Sequence, residues 1–216
     1  MEKSYGDKES KIWMIADSPP KKWQCKLSHP LDPKHPAVHN IWTPVFDRIN
    51  EELFTNGFRL KRESLYIINA VTDSEYWGEK NDLKVEIDKL KSKINKHKPT
   101  GIITFGSRAY DAVSKAKTAE NLCGKLKDWT SEELGKKFVE SINGFDKNEI
   151  NIFPLLHASV SRRNFLEAQA DYCNVCRCEY INNADYNYFA YVGSRIAEII
   201  YNHKDCFINH LNINSL

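Results

Sequence analysis

The sequence has no apolar run that approaches the ~18 residues of a membrane-spanning helix. Its opening stretch, MEKSYGDKES, is polar and charged, so no secretory signal is expected there. A cytoplasmic protein without membrane attachment is the expectation. Neither GxGxxG nor GxxxxGK occurs, so the two common glycine-rich phosphate loops are missing. Charge of one sign is also scarce: 31 Lys and Arg stand against 29 Asp and Glu, a net charge of +2. Bulk charge therefore names no polyanionic partner, and any face that binds one must be local. No repeat and no linker divides the chain, so one domain over residues 1–216 is expected. A second CxxC is lacking too. The first lies in CNVCRC, with Cys173, Cys176 and Cys178. Cys25, Cys123 and Cys206 could complete a site, but their spacing implies nothing by itself. In a cytoplasmic chain these cysteines are expected to be reduced. No cofactor or metal is expected, although CxxC spacing alone leaves metal binding open.

What is present is ordinary globular composition, 41% hydrophobic and 28% charged. Short continuous apolar runs predict buried strands at KIWMIAD, SLYIINAV, GIITFG and INIFPLLH. Helical patterns fall between them. TPVFDRINEELFTNG carries Thr43 as expected N-cap, Pro44 in the first turn and Gly57 at the close. NDLKVEIDKLKSKINKHK places Leu83, Ile87, Leu90 and Ile94 on one face, with its lysines on a solvated one. SRAYDAVSKAK predicts a short helix, and residues 185–213 one long C-terminal helix. SPPKKWQCKLSHPLDPKHPAVHN predicts a long loop. The alternation predicts an α/β fold: a three-layer αβα sandwich around a central, mostly parallel four-stranded sheet.

In such sheets ligands sit outside the carboxyl ends of the strands. Those ends read ADSPP, NAVTDS, FGS and HASVSRR. They bring a carboxylate, an amide, hydroxyls, an imidazole and guanidiniums to one rim. A core strand gains nothing from such endings; a site for a negative or phosphate-bearing ligand does.

Four of these segments, in order, resemble the uracil-DNA glycosylase superfamily across roughly residues 11–170. IADSPP stands at the family's first motif, a Gly-x-x-Pro turn after the first strand. YIINAVT resembles the second-strand segment that ends in a base-reading Asn. IITFGSRAYDAV is similar to the third strand and its helix. FPLLHASVSRRNF resembles the His-Pro-Ser motif after the last strand. The resemblance implies a DNA partner and cleavage of the N-glycosidic bond of a flipped-out base; a monomer is expected, though the sequence does not fix the oligomeric state.

That chemistry passes through a cationic sugar and an anionic departing base. The resemblance assigns Asp17 to the sugar cation or its attacking water, and His157 to the base oxygen. It assigns Asn69 to the base edge, with Ser18 as a helper to water or phosphate. Ser159 matches the serine that pinches a phosphate, and Arg162 and Arg163 fit phosphate contacts or a groove probe. Each residue also has an ordinary reading: Asp17 and Ser18 in a turn before Pro19, His157 and Asn69 bonded at strand ends, the arginines on a solvated loop.

Departures from the family bear on substrate. Pro20 replaces the tyrosine that excludes a 5-methyl group in some branches. Ala37 stands where the iron–sulfur branch has a base-stacking Phe. Ala158 replaces the proline of the last motif, and Ser161 occupies the usual position of a wedge leucine. An absent ring and gate enlarge the expected pocket, which points to a pyrimidine bulky at C5, such as a phage-type modified cytosine. Trp23, Trp42 and Tyr76 are candidate replacement platforms. Ordinary uracil excision, an inactive nucleic-acid-binding relative, and an unrelated enzyme of a small metabolite stay as alternatives. A role in repair or in antiphage defence is equally open.

Overall fold

The computed structural model describes residues 3–19, 21, 26–30, 32–34, 42–118, 128–157, 164–174 and 187–213. The expected strands form at Ile12–Ala16 (β2), Tyr66–Asn69 (β4), Gly101–Phe105 (β5) and Asn151–Leu155 (β6). A two-residue strand, Tyr5–Gly6 (β1), pairs antiparallel with β4, so the sheet has five strands rather than four. The order is β1-β4-β2-β5-β6, and every contact among the last four is parallel. Pro154 is tolerated in β6 because β6 is an edge strand.

Helices Thr43–Thr55 (α1), Lys80–His97 (α2) and Ser107–Thr118 (α3) follow β2, β4 and β5. Ser131–Asn143 (α4) precedes β6, and Asn164–Asn174 (α5) follows it. Thr43 is the first residue of α1 rather than its cap; Trp42 holds the cap position without a side-chain bond. The C-terminal segment is not one helix. Tyr188–Asn202 (α6) gives way to a short turn of helix, Lys204–Phe207 (α7), and then to a strand, Leu211–Ile213 (β7). That strand pairs antiparallel with Phe58–Leu60 (β3) in a separate two-stranded sheet.

Strand alternation divides the core in two. Ile12, Met14, Ala16, Ile67, Ile103 and Phe105 pack against α1, α4 and α6. Trp13, Ile15, Tyr66, Ile68 and Ile102 pack against α2 and α3. The result is the expected three-layer α/β sandwich. Among the described residues, no helix is long and apolar enough to cross a membrane.

Candidate functional site

Strand order places the site. The chain runs β2, β4 to one side, then returns across β2 to β5 on the other. The gap between the carboxyl ends of β2 and β5 is therefore the switch point of this doubly wound sheet, where open α/β sheets take their ligands. Asp17 leaves β2 at that gap. Its carbonyl accepts from the Val71 N–H at 3.1 Å, and Ala16 accepts from Ala70 at 2.7 Å, which extends the β2–β4 ladder past Asn69. The Asp17 side chain turns to the start of α3, where its Oδ1 accepts from the Ala109 N–H at 3.0 Å. The free N–H groups and positive end of the helix dipole favour a carboxylate there.

His157 arrives from β6, and two buried tyrosines anchor the strand that carries it. The Tyr172 hydroxyl donates to the Pro154 carbonyl at 2.7 Å. The Leu156 N–H donates to the Tyr188 hydroxyl oxygen, also at 2.7 Å. Burial pushes the Tyr188 phenol well up, so it stays a neutral partner.

Gly106 joins the two candidate residues. It follows β5 with φ +99°, a left-handed conformation that favours glycine. Its N–H donates to Leu155 at 2.8 Å, tying β5 to β6 at the rim. A Cβ on Gly106 would stand 2.8 Å from the His157 Cβ and 3.4 Å from Asp17 Oδ1. The missing side chain is what lets carboxylate and imidazole converge.

Burial pushes the Asp17 carboxyl up from its ordinary 3.8, while His157, the Ala109 N–H and Arg108 push it back. Burial likewise pushes His157 below its ordinary 6.5, opposed by the Asp17 charge. The imidazole is thus neutral at pH 7 and able to donate from one ring nitrogen.

Asn69 stands in register with Ala16 on β2. By alternation it shares the α1-facing side with Ala16 and Phe105, whereas Asp17 turns to α3. It is half-buried and makes no side-chain hydrogen bond among the described residues. Ser18 is half-buried beside Asp17. Trp42 is a core residue, 3% exposed, with its ring 4.7 Å from that of Phe105; it is not an open platform. Tyr76 is half-buried in a 3-10 turn, Ser74–Trp77. Pro20, Trp23, Ala37, Ala158, Ser159, Ser161, Arg162 and Arg163 lie outside the described residues.

No protein-family model and no curated protein matches the chain.

Three contributors escape the sequence reading: Gly106, the Ala109 N–H, and Arg108. All lie in the GSRA stretch after β5, and their roles depend on approaches from β2 and β6. A glycine between a strand and a helix is the one local signal that marks them. Cys173 is half-buried on α5. Among the described residues no cluster of His, Cys, Asp and Glu is arranged to hold a metal, while Cys176 and Cys178 lie outside them.

Proposed function

We propose that this chain is a DNA glycosylase that hydrolyses the N-glycosidic bond of a flipped-out base and leaves an abasic site. The supporting observation is the convergence of Asp17 and His157 around Gly106 at the switch point of the sheet. In this reading the C1′–N bond breaks and the base departs with the electron pair. The Asp17 carboxylate stabilises the sugar cation and orients the water whose oxygen joins C1′. The neutral His157 ring donates a hydrogen bond to the base oxygen as negative charge gathers there. The water's proton ends on the departed base or in solvent.

The substrate is a bulky modified pyrimidine, of the kind found in modified phage DNA. That part of the reading rests on sequence: Ala37 for a ring and Pro20 for a gate. It fits a role against foreign DNA. A flipped base costs a few kcal/mol in lost stacking, and contacts to an added group offset this.

Matched duplexes carrying uracil, cytosine, hydroxymethylcytosine or glycosylated hydroxymethylcytosine test the proposal by alkaline strand cutting after incubation. Cuts at an enlarged cytosine support it. Cuts at uracil alone return the protein to ordinary uracil excision. No cuts on any of these DNAs, whether as duplexes or as single strands, contradict the enzymatic reading.

A further inference from the structure

Arg108 stands where two strand-end loops meet. Its neighbour Ala109 supplies the N–H that holds Asp17 Oδ1. Its guanidinium carbon lies 5.8 Å from the centroid of the Trp77 ring. Trp77 belongs to the turn that follows β4, so the loop after one strand holds a cation carried by the helix after another.

Trp77 is an unusual choice for its position. It packs against the α2–α3 core with its Nε1 buried and, among the described residues, without a hydrogen-bond partner. An aliphatic residue would fill that space without stranding an N–H, which is costly in an interior. What the indole adds is a π face for the guanidinium.

Among the described residues, the charged or titratable groups that face Asp17 are His157, from the end of β6, and Arg108, from α3. The imidazole is neutral at pH 7 because burial holds its protonation down. A guanidinium does not lose its proton in a protein. Arg108, exposed at the start of α3 and one residue from the N–H that holds Asp17, is therefore the permanent positive charge of the two, although its pull on the carboxyl is weaker than that of the Ala109 N–H.

We propose that Trp77 and Arg108 form a clasp, in which the indole fixes the guanidinium near Asp17 and Arg108 acts as a positioning residue that keeps the carboxylate ionised. The catalytic use of that charge rests on the glycosylase reading; the clasp itself does not.

The test separates the two. Arg108→Gln, Arg108→Lys and Trp77→Leu are compared with the parent protein. The Asp17 carboxyl is followed by NMR through a pH titration without substrate, its resonance assigned by Asp17→Asn. R108Q should move the midpoint upward, R108K should restore most of the shift, and W77L should move it upward by less than R108Q. In single-turnover base release at saturating DNA, the acid limb of the R108Q profile should move up in step with that midpoint. An unmoved Asp17 midpoint in R108Q, or equal shifts in R108Q and R108K, overturns the clasp. A shifted midpoint in a protein that releases no base from any DNA upholds the clasp and overturns the glycosylase reading.

Discussion

Substituting Gly106 by alanine tests the convergence on which the site depends. Two costs add. The first is conformational: a side chain at φ +99° sits in a region that costs about 1–2 kcal/mol outside glycine. The second is steric. The new Cβ would lie 2.8 Å from the His157 Cβ, about 0.7 Å short of the closest comfortable carbon–carbon contact. The obstructing atom is not the end of a flexible chain. It is the first side-chain atom of His157, which directly follows the Pro154–Leu156 stretch that Tyr172 and Tyr188 anchor. Relief demands a backbone shift, and overpacking of this kind costs about 1–3 kcal/mol. The sum is about 2–5 kcal/mol, a fall in Tm of about 4–20 °C for a domain of this size. If the glycosylase reading holds, a displacement of His157 approaching 1 Å should also lower the chemical rate about 100-fold. Thermal melts and single-turnover base release measure both. Pairing Gly106→Ala with His157→Gly removes the clashing atom, so a double-mutant cycle should return the steric share but not the conformational one. A G106A protein with parent stability and parent rate would refute the close approach.

Asp17→Asn keeps an acceptor for the Ala109 N–H but removes the charge, so base release should fall by about two to four powers of ten. The same change should stabilise the fold at neutral pH. The folded Asp17 pKa is raised above 3.8, so ionising it in the folded state costs stability, a cost that appears as pH rises from 3.8 to the folded value. Urea melts at pH 7 and pH 3 should show the gain at the first and little at the second; a loss at pH 7 contradicts the burial argument. His157→Ala should lower the chemical rate by about 10²–10³ while DNA binding holds; equal losses in both make the histidine structural. The depressed His157 pKa contributes full stability above 6.5 and loses it as pH falls from 6.5 to the folded value, so H157A should flatten that part of the stability profile. Replacing Arg162 and Arg163 by alanine should weaken binding to any DNA sequence and lower the salt slope by about one to two units; an unchanged slope leaves them as loop surface.

The parallel core of the fold is legible because its strands are buried on both faces and read as unbroken apolar runs, such as Trp13-Met14-Ile15. β1 is not legible, since two residues carry no periodicity and only the β4 edge makes Tyr5–Gly6 a strand. β3 and β7 likewise exist through each other. Helix α4 was within reach: Thr130 and Glu133 form a capping box, bonded in both directions. The apparent long C-terminal helix ends at Asn202 because the chain beyond α7 turns to pair with β3. Within the site, Asp17 and His157 are legible as polar residues that end apolar strands. Gly106, Ala109 and Arg108 are not, because a backbone N–H, an absent Cβ and an exposed guanidinium gain meaning only when another strand approaches.

Mass spectrometry of free bases tests the central claim most directly. The purified protein and its Asp17→Asn variant are incubated with DNA containing uracil, cytosine, hydroxymethylcytosine or glycosylated hydroxymethylcytosine, and the small-molecule fraction is analysed. The account predicts an intact modified pyrimidine base released by the parent protein, an equal yield of abasic sites, and almost none from D17N. Equal release by D17N, or no free base from any DNA, contradicts it.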